Sequence, residues 1–189
     1  LRGDAVDMPV AGCPDISSSR VVANPPFAIT GPWLGKMLDA GMPACLSLLL
    51  QREAVDRLKA ACGAREYGVL SIRLGAAYEV VYERRVPAQC FYPAPGIESG
   101  IVVFRRRSQP HAFSRQTVEL MKELFTQRRK QVGGRVARRM PSPGVDAWRR
   151  LLERHELSMT CRPEQIPVGF WVEWDRFAQE EGAFGNGRA

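Results

Sequence analysis

The sequence predicts an α/β domain followed by a smaller, basic, helical part, and three observations carry that prediction. Short apolar runs at Arg20–Ala23 and Cys45–Leu50 alternate with segments of helical spacing over the first hundred residues. Proline- and glycine-containing stretches punctuate those runs where strands and helices would meet. The charge then changes character. Residues 1–104 hold 10 Lys/Arg and 10 Asp/Glu, whereas residues 105–189 hold 17 and 10 and so carry the whole net charge of +7.

Each element follows in order. Arg20-Val21-Val22-Ala23 reads as a buried strand that stops at Asn24-Pro25-Pro26-Phe27. Thr30-Gly31-Pro32 opens a helix that runs from Trp33 to Ala40 and closes at Gly41. Cys45 to Leu50 is a second apolar strand, and Gln51 to Ala61 has helical spacing at Val55 and Leu58. Tyr67 to Ala77 fits a helix or a strand. Tyr78–Tyr82 and Ile101–Phe104 are strands, separated by a proline-rich loop from Val86 to Gly96. An open sheet with its strands buried on both faces is expected.

After Arg107 the pattern is helical. Ser114 is an N-cap for a helix whose apolar stripe is Val118, Met121, Leu124 and Phe125 and which ends in Gln127-Arg128-Arg129-Lys130. Val145–Glu156 and Val168–Gln179 complete the helical part. The boundary is placed between residues 107 and 108, giving domains 1–107 and 108–189.

Composition narrows the function. Within 105–139 there are 11 basic and 2 acidic residues, a footprint for a polyanion, nucleic acid before an anionic membrane. A solvated basic helix face is the alternative. No run approaches the roughly 18 apolar residues of a membrane span, and no signal peptide is legible. Five scattered cysteines without a Cys-x-x-Cys pair, and two isolated histidines, predict no disulfide framework, no metal and a reducing cytoplasm.

Asn24-Pro25-Pro26-Phe27 is the segment with chemistry in it. Two prolines fix φ and remove two N–H groups, so the carbonyls nearby are presented as rigid acceptors. At the carboxyl end of a strand, where open α/β sheets bind ligands, the Asn24 oxygen and a backbone carbonyl can accept both hydrogens of one amine. That favours a pyramidal, nucleophilic nitrogen on adenine. Phe27 can stack on a base taken out of its helix. The same four residues also make a plain strand-to-helix turn, and similar ones serve methylation of adenine, cytosine and glutamine amines.

Further landmarks occur in order: Gly3-Asp4-Ala5, Val22 to Thr30, Gln51 to Leu58, Tyr67-Gly-Val-Leu-Ser-Ile72, Phe91-Tyr-Pro-Ala-Pro-Gly-Ile-Glu-Ser99 and Phe125 to Lys130. Together the chain resembles the bacterial small-subunit rRNA adenine-N6,N6-dimethyltransferases linked to kasugamycin sensitivity, from residue 3 to about residue 178. The resemblance implies a Rossmann-like, S-adenosylmethionine-dependent methyltransferase domain with a small helical domain after it. It implies that Asn24 and Pro25 hold the target amine, with Pro26 in the same catalytic segment, that Phe27 and Phe91 pack the base, and that Gly3, Asp4, Ala5 and Asn24 contact S-adenosylmethionine. The basic residues Arg105, Arg106, Arg107, Arg128, Arg129, Lys130 and Arg135 are expected on RNA. The expected partner is small-subunit rRNA or the pre-ribosomal small subunit, met by a monomer without a membrane.

The departures are specific. The family has Asn-Leu-Pro-Tyr where this chain has Asn-Pro-Pro-Phe, so stacking survives and a tyrosine hydroxyl does not. Gly96 and Glu98 stand for Lys and Asp, and Gln131-Val-Gly-Gly-Arg135 for a more regular stretch. The glycine-rich donor loop would precede Gly3, where only Leu1-Arg2 stand. A fragment, or a form without that loop, is therefore expected to bind donor weakly and to fold poorly. The alternatives are a non-catalytic RNA-binding relic of the family and the macrolide-resistance type of large-subunit rRNA methyltransferase.

Overall fold

The computed structural model describes residues 4–7, 13 and 15–184. Gly3 lies outside the described residues. Two compact units emerge, Leu1–Lys59 with Arg73–Ala112, and Ala60–Ile72 with Phe113–Ala189. The segment 60–72 groups with the helical residues because Tyr67 and Ile72 are buried in their core, and the Tyr67 hydroxyl donates to the Ile166 carbonyl at 2.9 Å.

The first unit is a sheet with helices. β1 (Arg20–Ala23), β2 (Cys45–Gln51), β3 (Tyr78–Val86) and β4 (Ser99–Arg106) stand in the order β1-β2-β4-β3. β1 runs parallel to β2, while β4 is antiparallel to both β2 and β3. β3 and β4 are joined by the proline loop alone, and only antiparallel strands can be joined without a crossover. β2 alternates strictly, with Leu46, Leu48 and Leu50 fully buried and the other face half-open. The expectation of strands buried on both faces is corrected at β1, where Val22 is 82% exposed. Among the described residues β1 pairs with β2 alone.

α1 (Thr30–Ala40) buries Thr30, Trp33, Leu34, Met37 and Leu38, an i, i+3, i+4, i+7, i+8 stripe. It ends because Gly41 takes φ +137°, which a side chain would resist, and returns its N–H to the Met37 carbonyl. α2 (Arg52–Leu58) packs Val55 onto β4. The ambiguous stretch after Tyr67 is helical, α3 (Val69–Ala77). Arg73 in α3 is buried and forms a salt bridge to Asp39 of α1.

The second unit is helical: α4 (Arg115–Thr126), α5 (Gly133–Arg139), α6 (Ser142–Arg154) and α7 (Val168–Glu181). Ser114 caps α4 as expected, accepting from the Thr117 N–H, while its own hydroxyl donates to the buried carboxylate of Asp175 at 2.6 Å. Trp148 of α6 sits edge-on to Phe170, Trp171 and Trp174 of α7, with ring centroids 4.7, 5.5 and 4.8 Å away. Such aromatic pairs add to what burial alone supplies. α4 stops at Thr126, one residue before the basic cluster, which lies in the turn beyond it.

α5 was not legible in the sequence, since two glycines open it. A Cβ on Gly133 would stand 2.8 Å from the Met159 carbonyl oxygen. That same carbonyl accepts the Gly133 N–H at 2.9 Å. Glycine is thus required by a close backbone approach, not by flexibility.

Candidate active site and basic surfaces

The candidate site grows from the end of β1. Pro25 is buried, and Phe27 begins a single 3-10 turn, Phe27–Ile29, that leads directly into α1. The Pro26 carbonyl turns inward, accepting the Ile29 N–H at 3.0 Å and the Thr30 hydroxyl at 3.4 Å. The acceptors left at the strand end are therefore the Asn24 side chain and the Pro25 carbonyl, neither of them engaged among the described residues.

Beside them lies a cavity of about 360 Å³ whose lining includes Asn24, Phe27, Gln51, Phe91, Ile97 and Ser99. Phe27 is 51% exposed and Phe91 is half-buried, so both rings can offer a face to a ligand. Phe91 reaches the cavity because the loop after β3 folds through a short turn, Ala88–Cys90, whose first carbonyl accepts the Phe91 N–H. The loop is then tied back at its other end, where the Arg52 N–H donates to the Glu98 carbonyl at 2.9 Å. Pro25 and Pro26 precede Phe27 in the chain and do not line the cavity. Gln51, Tyr92, Ile97 and Ser99 belong to the lining and were missed as site residues. Gln51 could have been found, as the polar end of an otherwise apolar strand.

Asp4 immediately precedes a turn over residues 5–7 that includes Ala5, and neither lines this cavity. One Asp4 oxygen accepts the Val6 N–H at 2.7 Å, and among the described residues the second has no partner. An exposed carboxylate is an acceptor that fits the amino group of an adenine ring, the part the resemblance assigns to it.

The basic residues divide among three settings. Arg105, Arg106 and Arg107 join Arg20 around a cleft of about 560 Å³ at the starts of β1 and β2, the opposite end of the sheet from Asn24. Arg106 donates to the Met42 carbonyl and Arg107 to that of Gly75, which holds both guanidinium groups in place; Arg105 is paired with Glu79. In the helical unit, Arg129, Lys130 and Arg135 line a second open cleft with Arg138. Arg135 is also tied to the Leu124 carbonyl at 3.2 Å. Arg128 does not line that cleft: its guanidinium donates to the carbonyls of Arg65 and Ala64. The Cys62, Cys161 and Tyr67 groups are raised by burial and stay neutral, so none of them is an activated nucleophile. Among the described residues no cluster of His, Cys, Asp and Glu could hold a metal, and no helix is long and apolar enough to cross a membrane.

A mixed sheet with helices that carries an amide-proline-proline-aromatic turn at a strand end, followed by a basic helical unit, fits the Rossmann-like methyltransferase fold. The solved structures it resembles share that fold. A dimethyladenosine transferase from Plasmodium falciparum matches with a TM-score of 0.74 at 19% identity, over 97% of this chain and 73% of that one. The 23S rRNA methyltransferase ErmE matches with a TM-score of 0.58 at 20% identity, over 93% and 71%. The family profile described as "Ribosomal RNA adenine dimethylase" matches residues 15–166, and the chain belongs to that family. Its relatives include the ribosomal RNA small subunit methyltransferase A of Opitutus terrae, 39% identical over 90% of this chain, and that of a Synechococcus strain, 30% identical over 90%. The chain spans 62% and 65% of the length of those two relatives.

Proposed function

We propose that the protein serves as an rRNA adenine-N6,N6-dimethyltransferase of the small ribosomal subunit, with S-adenosylmethionine as methyl donor. The observation that carries this reading is the Asn24 side chain in the lining of a cavity walled by Phe27 and Phe91, with the Pro25 carbonyl next to it in the chain and neither acceptor engaged among the described residues. The relatives named as small-subunit methyltransferases favour that substrate over large-subunit rRNA.

In this reading one unstacked adenine enters the cavity between the two phenylalanine rings. Stacking offsets part of the cost of removing it from the RNA, at roughly 1–3 kcal/mol per base. Asn24 Oδ1 and the Pro25 carbonyl accept the two N6 hydrogens. The nitrogen lone pair, otherwise delocalised into the ring, is then turned out of the ring plane. Bound S-adenosylmethionine supplies a sulfonium-activated methyl group. Asn24 keeps its hydrogen bond as the nitrogen takes on positive charge, and the surplus proton leaves afterwards, so no strong general base is needed. Asp4, with Ala5 beside it, would hold the donor's adenine ring; Gly3, assigned the same duty, lies outside the described residues.

The RNA backbone is assigned to the two basic clefts: Arg20 with Arg105, Arg106 and Arg107 on the sheet unit, and Arg129 and Lys130 with Arg135 on the helical unit. Residues 108–189 are thus proposed as the RNA-binding part, and the substrate as small-subunit rRNA or its pre-ribosomal particle in the cytoplasm, met by a monomer. Asn24→Ala tests the chemistry. Methyl transfer to small subunits should fall by at least about a hundredfold, the order found when one preorganised polar contact is lost from an active site. RNA affinity should change little. Loss of folding and RNA binding together would instead reduce the segment to a structural turn.

A further inference from the structure

The cavity beside Asn24 holds a polar side chain for which the fold has no use. Gln51 ends β2, paired with Ser99 of β4, and its backbone forms the N-cap of α2 while its side chain makes no capping bond. Glutamine is not among the residues that favour this position. Nothing engages its carboxamide among the described residues, although it is half-buried. Around it the wall is Leu49, Phe27, Phe91 and Ile97. A leucine would pack there without surrendering hydration, whereas a carboxamide gives up water contacts that the protein does not replace.

The register says where that carboxamide stands. Ala23 pairs with Leu48, so Asn24 follows beside Leu49. Gln51 is the next residue on the same face of β2, about 7 Å further along. Two hydrogen bonds, and the roughly 2–3 Å between the adenine amine and a flanking ring nitrogen, together span that separation.

We propose that Gln51 reads the base: its Nε2 donates to a ring nitrogen flanking the adenine amine that Asn24 holds. This inference rests on the base-pocket reading above and deepens it. Acceptors on an amine alone do not separate adenine from a glutamine side chain, or from any other primary amide. A donor at fixed distance on the same strand face adds the second point that a flat heteroaromatic amine satisfies. Glutamine is a known adenine partner in other settings because its amide offers donor and acceptor together. Guanine, with a carbonyl where adenine has its amine, would face the Asn24 and Pro25 acceptors oxygen to oxygen.

The test measures affinity of the protein for a uridine-tract RNA bearing one central adenosine, 1-deazaadenosine or 7-deazaadenosine. Removing the correct nitrogen should weaken wild-type binding by about tenfold, the effect of one lost hydrogen bond in a pocket. Gln51→Leu should bind the adenosine RNA about tenfold more weakly and no longer distinguish it from that analogue. Gln51→Glu, similar in shape but with no donor and with a charge facing the ring nitrogen, should bind the adenosine RNA more weakly still. It also serves as the reading if the leucine variant fails to fold. The inference is overturned if either folded variant keeps the wild-type preference for adenosine over the analogue. It is overturned equally if wild type binds adenosine and both analogues alike. Should wild type fail to separate the adenosine RNA from an all-uridine tract, the base pocket itself is refuted, a result distinct from the failure of Gln51 alone.

Discussion

Phe27 shows how much one side chain is asked to do. It opens the 3-10 turn that joins β1 to α1, yet half of its surface remains exposed beside Asn24. A residue needed only for packing would be covered; this one keeps half of its surface open, as the proposed base stack requires. Phe27→Tyr retains that face, so activity should stay within a few-fold of wild type. Phe27→Ala should weaken binding of an adenosine-containing RNA by roughly 1–3 kcal/mol, the range for a lost base–aromatic stack, measured as a shift in dissociation constant. A tyrosine variant as damaged as the alanine variant would show that the ring is there for packing.

At the scale of elements, the proline loop and α2 are positioned by a charged clamp. Arg52 of α2 bonds Glu83 of β3 at 2.7 Å, and Lys59, just past α2, reaches the same carboxylate at 2.7 Å. The Lys59 hydrogen bond, joined by Arg52 against the opposing effect of burial, holds Glu83 below the usual carboxylate range. A carboxylate whose pKa is lowered on folding contributes stability above its unfolded value, about 4.3, and loses it as pH falls through the lower folded value. At neutral pH Glu83→Gln should therefore be less stable by up to about 1 kcal/mol, the scale for partly exposed ion pairs. The two denaturation curves should converge as the pH falls below about 4. A constant gap between them would assign the effect of the substitution to packing. The clamp bears on the proposed base pocket because the Arg52 N–H also holds the Glu98 carbonyl at the end of the loop that carries Phe91.

At the scale of the whole molecule, net charge fits the proposed polyanion but does not say which arginines would meet it. Arg128, Arg129 and Lys130 are adjacent in sequence yet have different tasks. Arg129 and Lys130 face an open cleft, while Arg128 fastens the segment 60–72 to the turn after α4 through two backbone carbonyls. Replacing Arg129 and Lys130 by Ala should lower the slope of log affinity against log salt by about 1–2, close to one per phosphate contact, with little effect on melting. Arg128→Ala should do the reverse, lowering the melting temperature and leaving the slope unchanged. Equal effects of all three would return them to a single solvated face.

The sequence by itself determined the α/β-then-helical order, the strand that ends at Asn24, the Ser114 cap and the family. These depend on local periodicity and on residues whose conformational limits act over a few positions, such as Pro25, Pro26 and Gly41. It could not supply α5, because the Gly133 that weakens the helical signal is demanded by the Met159 carbonyl, 26 residues away in the chain. Nor could it show that Pro26 spends its carbonyl inward, that Gln51 lines the same cavity as Asn24, or that Arg128 parts from its neighbours. Those facts follow from strand register and from hydrogen bonds between distant segments. Only the tertiary structure decides them, because a side chain's task depends on which backbone groups folding has left without a partner.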